Sequence, residues 1–258
     1  MANGIIVIDK PQEWTSMDVC AKIRGVLHER RVGHAGTLDP MATGVLPVFV
    51  GRATRAVEFA SESEKEYIAG LKLGVVTNTQ DTTGQVVEER PVEADRAALE
   101  GALAAFRGEI TQIPPMYSAL KVNGKKLYEL ARQGKEVERQ ARPVQILDIQ
   151  IESIDLPRAT FFVTCSKGTY IRTLCYDIGR KLGCGGCMES LLRTRVDRFK
   201  REDSLTLSQI EKLRDEGRVE EYVVPVEGVF LGLPALVTKP GEGDKLVHNG
   251  NPFTAELA

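Results

Sequence analysis

Residues 33–51 read GHAGTLDPMATGVLPVFVG. The first half is a loop punctuated by Gly33, Gly36 and Gly44; the second, residues 45–50, is an unbroken apolar run of strand composition. Asp39 lies in this loop between Leu38 and Pro40. Proline biases the residue before it toward extended backbone, and glycines let a backbone approach a ligand closely. A carboxylate on a constrained loop at the mouth of a strand, beside His34 and several threonines, suits a nucleophile or general base. The same position also suits a turn aspartate bonding its own backbone. Local chemistry leaves both readings open.

Outward from this loop, strand-like runs recur at residues 4–8, 67–73, 144–156 and 159–165. Helical patterns lie between them. Thr15 can cap a helix with Asp18 three residues on, and Val19, Ile23, Val26 and Leu27 supply its buried stripe. A second helix is predicted over 96–106, with Leu99, Leu103 and Phe106 inward and Gly108 beyond it as a stop. Further helices are predicted over 126–133, 170–182 and 207–216, the last capped by Thr206 or Ser208. The mixture lacks a regular βαβ alternation, so the expected fold class is α+β around a mixed sheet. Residues 223–236 are rich in Pro and Gly and read as a boundary.

Composition sets the outer limits. The 258 residues are 42% apolar and 27% charged, proportions of a folded globular chain that exclude collagen-like and disordered classes. The apolar run at residues 4–8 is far short of the ~20 residues that span a bilayer. Five cysteines without an export signal point to reduced thiols in a cytoplasm. The net charge of −2 hides segregation: residues 118–145 carry seven Lys/Arg against three Glu, and residues 167–201 nine Lys/Arg against three acids. Such basic segments are compatible with a one-faced polyanion site, or with ordinary solvated faces.

Five stretches in order decide between these readings. The loop above, GIIVIDKPQEWTSMDV (4–19), KEYIAGLKLGVVTNTQDTTGQV (65–86), IPPMYSALKVNGKKLYELARQG (113–134) and CSKGTYIRTLCYDIGRKLGCGG (165–186) together resemble the motifs of the TruB family of bacterial tRNA pseudouridine-55 synthases. The resemblance runs from residue 4 to residue 226. It implies a pseudouridine-synthase fold, with a mostly antiparallel central sheet flanked by helices and loops. It also implies isomerisation of the T-loop uridine of tRNA, whose base is detached, turned and rejoined through C5. Residues 1–226 would form the catalytic domain, and 227–258 a linker and the start of an incomplete C-terminal RNA-binding domain. The family continues past LVHNGNPF (246–253), so this truncated stub implies weaker tRNA affinity with catalysis retained.

Residue roles follow from the resemblance. Asp39 is implied to act at the sugar–base junction, by attack on sugar or base or by removing a proton. Tyr67 is implied to stack on the target base and help remove the C5 proton, although a phenol of ordinary pKa near ~10 is a poor base at neutral pH. Arg172 is implied to pair with the carboxylate, since a guanidinium fork orients a carboxylate and favours its charged form. Tyr170 and Leu191 are implied to line the pocket, and Asp81 to lie near it. His34 is implied to aid RNA binding and eversion of the nucleotide. Lys10, Arg31, Lys121, Lys125, Lys126 and Arg193 are expected to grip phosphates.

No metal, nucleotide or redox cofactor is expected. Cys184 and Cys187 form a lone CxxC without a second pair, weak evidence for zinc, and no phosphate-loop or dinucleotide fingerprint is present. The implied partner is the T stem-loop of tRNA, with no DNA, membrane or protein partner, for a monomer in the cytoplasm. A tRNA-folding factor whose catalysis is incidental, and a guide-RNA-dependent relative, are the alternatives.

Overall fold

A computed structural model describes residues 3–60, 63–231, 236–238, 241–252 and 254. Phe253, named above, lies outside the described residues. The chain divides into two compact units, Met1–Pro225 and Val226–Ala258. In the second, the Thr238 hydroxyl donates to Asp244 Oδ1, within helix Glu242–His248, at 2.7 Å.

The first unit opens with β1 (Gly4–Lys10), α1 (Ser16–Leu27), β2 (Val32–His34), β3 (Thr43–Val50) and a short α2 (Val57–Ala60). There follow β4 (Lys65–Leu73), the pair β5 (Val75–Thr77) and β6 (Val86–Glu89), α3 (Arg96–Ala104) and β7 (Gly108–Gln112). The hairpin β8 (Lys121–Val122) and β9 (Lys125–Lys126) leads into α4 (Leu127–Arg132). Long strands β10 (Arg142–Asp155) and β11 (Arg158–Cys165) precede α5 (Ile171–Lys181), β12 (Gly186–Val196), β13 (Phe199–Lys200) and α6 (Leu207–Asp215).

Among the described residues the main sheet has nine strands, in the order β1-β3-β12-β4-β11-β10-β7, with β2 on β3 and β13 on β12. Its ladders are antiparallel except at one junction, where β12 runs parallel to β3 over Leu192–Thr43 and Arg193–Gly44. Two apolar cores cover it. One packs α3 and α5 against β4, β10, β11 and β12 through Leu71, Leu99, Phe161, Leu174 and Ile178. The other packs α1 and α6 against β1 and β3 through Ile6, Ile23, Leu46 and Ile210.

The expected helix starts have their physical causes in place. Thr15 caps α1 in a reciprocal box, its hydroxyl accepting from the Asp18 amide at 3.0 Å while the Asp18 carboxylate accepts from the Thr15 amide at 2.9 Å. Val19, Ile23 and Val26 are buried, and Leu27 is half-buried. Thr206, and not Ser208, caps α6, with Gln209 returning the bond. Phe106 packs on the core from just beyond the end of α3.

The parallel junction is tight. Gly44 has φ +100°, and a Cβ there would sit 2.2 Å from the Arg193 carbonyl oxygen. Gly108 has the same φ, +100°, with nothing within 4 Å of its Cβ position. Gly44→Ala is therefore expected to cost more than about 3 kcal/mol, and Gly108→Ala only about 1 kcal/mol of backbone strain, in denaturant unfolding. Equal costs would show that strand contact at residue 44 is not limiting.

Candidate active site

Asp39 is fixed from both sides of its loop. The Ser16 hydroxyl, in the first turn of α1, accepts from the Leu38 amide at 2.9 Å and donates to the Leu38 carbonyl at 3.2 Å. The Pro40 carbonyl accepts from the Glu13 amide at 2.7 Å and from Lys10 Nζ at 3.3 Å. Leu38 and Ala42 are sunk in the core on either side. The backbone has little freedom left, so the carboxylate is presented and not floating.

Arg172 enters from the first turn of α5, where Ile171, Leu174, Cys175 and Ile178 bury the same helix against the sheet. The start of α5 is set by Gln112 on β7, whose side chain accepts from the Tyr170 amide at 3.0 Å and donates to the Tyr170 carbonyl at 3.2 Å. The guanidinium grips Asp39 with two bonds, Nε to Oδ2 at 2.9 Å and Nη2 to Oδ1 at 3.2 Å. It also donates to the Thr79 carbonyl at 3.0 Å and the Tyr117 carbonyl at 2.8 Å. A second carboxylate, Asp81, stands 3.7 Å from Nε and is itself held by the Thr79 and Thr83 hydroxyls. The Arg172 side chain is 5% exposed and that of Asp39 is 36% exposed, so the cation is walled in while the carboxylate faces open space.

That space is a cavity of about 340 Å³ lined by Asp39, Lys65, Tyr67, Ser118, Leu120, Tyr170, Arg172, Leu191 and Arg193, among others. Its volume falls at the lower end of the roughly 300–1,000 Å³ of small-molecule sites. Strand register builds one wall: Tyr67 on β4 lies directly across from Arg193 on β12, and Ala69 across from Leu191. Burial pushes the Tyr67 phenol up to about 12, with Arg193 pulling weakly the other way. Burial raises the Tyr170 phenol as well. A second hollow of about 330 Å³, around Val7, Phe199 and Tyr222, holds none of the residues singled out from the sequence.

The structure thus brings Asp39, Tyr67, Arg172, Tyr170 and Leu191 to one cavity, with Asp81 behind Arg172 and outside its lining. His34 ends β2 and is half-buried outside the lining; burial and nearby Arg193 lower its ring pKa, favouring the neutral form. Lys121 is exposed on β8, next in sequence to cavity residue Leu120. Arg31 and Lys125 are likewise exposed, and Lys126 half-exposed.

Two expected phosphate contacts are corrected. Lys10 is fully buried, its ammonium spent on the carbonyls of Pro11, Trp14 and Pro40, and burial pushes it down to about 8. Arg193 is fully buried in the cavity wall, donating to the Val45 carbonyl at 2.7 Å and the Gly36 carbonyl at 3.0 Å. Neither is placed to meet a phosphate at the surface. Sequence reasoning missed Ser16 and Lys65. For Lys65 a signal existed, since K-x-Y puts Lys65 and Tyr67 on one face of a strand. Cys184 and Cys187 are buried free thiols, and among the described residues no cluster of three or more potential metal ligands occurs. Nor is any helix among them long and apolar enough to cross a membrane.

Ser16→Ala leaves the Leu38 amide and carbonyl without partners. The expected loss is about 1–3 kcal/mol in chemical denaturation; an unchanged midpoint would show that this hydroxyl does not hold the loop.

Comparison with known proteins gives the family. Residues 24–171 match the TruB family pseudouridylate synthase N-terminal domain, and residues 172–230 the tRNA pseudouridylate synthase B C-terminal domain. The chain is 47% identical over 248 residues to tRNA pseudouridine synthase B of Clostridium kluyveri, covering 96% of this chain and 84% of that protein. It is 47% identical over 242 residues to the protein of the same name from Streptococcus thermophilus, covering 92% and 82%. A solved structure, "Crystal Structure of a Cbf5-Nop10-Gar1 Complex", superposes with a TM-score of 0.76 at 30% identity, covering 96% of this chain and 67% of that one. A matching family model over more than half the chain, together with these relatives, places the protein in the TruB family of pseudouridine synthases, which are isomerases.

Proposed function

We propose that the protein converts the T-loop uridine at position 55 of tRNA to pseudouridine, acting as a cytoplasmic monomer without a protein partner. The observation that carries this reading is the two-bond Arg172–Asp39 clamp, its carboxylate open to a cavity walled by Tyr67 and Leu191. The relatives named tRNA pseudouridine synthase B supply the substrate class. Residues 1–226 are read as the catalytic domain, and 227–258 as a linker and the start of an RNA-binding domain.

The uridine is stacked inside folded RNA and must be everted, at a cost of a few kcal/mol. Contacts to phosphates from Arg31, Lys121, Lys125 and Lys126, with His34 beside the cavity, offset that cost. Inside, Leu191 and Tyr67 sandwich the ring. Tyr67 keeps its proton at neutral pH, because burial holds the phenol near 12, so stacking is the role its surroundings favour. Asp39 acts at the sugar–base junction, and Arg172 fixes its two oxygens. Asp81 and the Thr79 and Tyr117 carbonyls hold the guanidinium from behind, so that the clamp is set before the RNA arrives. A protein that only folds RNA has no need of such a clamp.

Asp39→Asn keeps the shape and one acceptor but removes the charge. Carbodiimide labelling of treated tRNA is expected to show product formation at the T-loop position down by about 10²–10⁴-fold or more, with tRNA affinity kept. Lost affinity instead would make Asp39 a structural residue, and undiminished product would end the reading.

Salt dependence separates surface cations from buried ones. Lys121→Ala is expected to lower the slope of log K against log salt for tRNA by about one. Lys10→Met is expected to leave that slope unchanged, and an equal drop would mean that Lys10 reaches phosphate after all.

A further inference from the structure

We propose that Arg193 contacts the substrate base: its Nη1–H group donates a hydrogen bond to a carbonyl oxygen of the everted pyrimidine, and its charge stabilises the negative charge that ring carries while detached. This rests on the reading that the cavity takes the target uridine.

Arg193 has the wrong surroundings for a structural arginine. It is fully buried, yet among the described residues no carboxylate pairs with it. Nε and Nη2 hold the Val45 and Gly36 carbonyls at 2.7 and 3.0 Å, while Nη1 is buried with no hydrogen-bond partner. A buried charge without its counter-ion is costly, and an unpaired buried donor adds to that cost. Such groups are found where a ligand completes them. Burial lowers the Arg193 pKa, and the Tyr67 phenol oxygen, close enough to the guanidinium to act as a hydrogen-bond acceptor, works the other way without satisfying Nη1.

The unpaired nitrogen packs against Gly36, where any side chain would crowd it. Gly36, in the cavity lining, has φ +73°, and a Cβ built on it would lie 3.3 Å from Arg193 Nη1 and 3.3 Å from Lys65 Cε. Lys65 is a second buried cation on this wall, pushed down to about 8 by burial and by Arg193. Tyr67, cross-strand from Arg193, supplies the flat surface beside them. Two positive groups on one wall of the cavity attract an electron-rich oxygen. The base reaches them by seating fully and displacing the flexible Lys65 methylenes.

The chemistry of the reaction puts charge in that place. When the C1′–N1 bond breaks, the electron pair stays on the pyrimidine and is spread over N1 and the ring carbonyl oxygens. Asp39 meets the sugar at C1′ or takes its C2′ proton; if Asp39 adds to C6 of the ring first, the resulting enolate loads a carbonyl oxygen in the same way. The pair returns when C5 bonds to C1′, as the Asp39 carboxylate leaves the carbon it attacked or gives the C2′ proton back. C5 then releases its proton and N1 gains one, so the product is an isomer and nothing is oxidised or reduced. Throughout, a donor on the carbonyl edge is stronger against the detached ring than against neutral uridine, which is the condition for accelerating the step.

The test is a chemical cycle on RNA hairpins carrying uridine, 2-thiouridine or 4-thiouridine at the target position, since sulfur is a poorer acceptor than oxygen. With wild-type protein under single-turnover conditions, one of the two thio substrates is expected to react about tenfold or more slowly than uridine. Arg193→Met is expected to slow the uridine substrate by about 10²-fold or more, with hairpin affinity kept and the thio penalty abolished. Arg193→Leu, which likewise carries no donor, serves the same cycle if the Met variant does not fold. Equal rates for all three hairpins with wild-type protein, or a thio penalty that survives in the variant, would overturn the proposal. Normal turnover of the uridine hairpin in that case would leave the reading of the cavity standing.

Discussion

The contact between Arg172 and Asp39 is the constraint around which the site is organised. A guanidinium only 5% exposed must be compensated, and here it has two bonds to Asp39, two carbonyls and a second carboxylate at 3.7 Å. Its partners come from three separate parts of the chain. Asp39 belongs to the loop before β3, Thr79 and Asp81 to the turn between β5 and β6, Tyr117 to the segment before β8, and Arg172 to α5. The pair therefore ties the loops at one end of the sheet to its covering helix. A change that shifts any of these segments shifts the carboxylate.

The sheet supplies the other half of the site. Register alone sets Tyr67 opposite Arg193 and Ala69 opposite Leu191, at the few-ångström spacing of cross-strand neighbours. The parallel step between β3 and β12 brings the end of the Asp39 loop against Arg193, and Gly44 makes that approach possible. The cavity thus has a negative rim at Asp39 and a positive wall at Arg193 and Lys65. Asp39 is paired with Arg172 and not with Arg193 or Lys65, so a carboxylate and two further cations share one cavity, an arrangement suited to a reaction in which sugar and base separate as opposite charges.

Much of this was legible in the amino-acid sequence, and the failures have physical causes. Apolar periodicity and capping located α1, α3, α5 and α6 and strands β1, β3, β4, β10 and β11 within a few residues. Strand β12 was hidden to pattern reading because Arg193 and Arg195 interrupt its apolar run; Arg193 turns inward, and Arg195 pairs with Glu66 at 2.6 Å. The same prior, that Lys and Arg face water, misplaced Lys10 and Arg193 at the surface. The basic stretch 167–201 is for this reason not one polyanion face, since Arg172 and Arg193 are buried and Arg201 pairs with Asp9. Grouping of Asp39, Tyr67, Arg172 and Leu191 came from motif resemblance, because no local rule links residues as far apart as Asp39 and Arg172, 133 positions. The carbonyls of Thr79 and Tyr117 carry no side-chain signature at all.

The central claim is that the Asp39 carboxylate, set by Arg172, meets the sugar–base junction of an everted pyrimidine. A crystal structure of the protein bound to a T-stem-loop RNA tests it most directly. The account predicts the target base out of the RNA stack, lying between Tyr67 and Leu191, with an Asp39 oxygen in contact at the glycosidic junction and the Arg172 clamp intact. A target base still stacked in the RNA, or one seated away from Asp39 with the cavity empty, would contradict it.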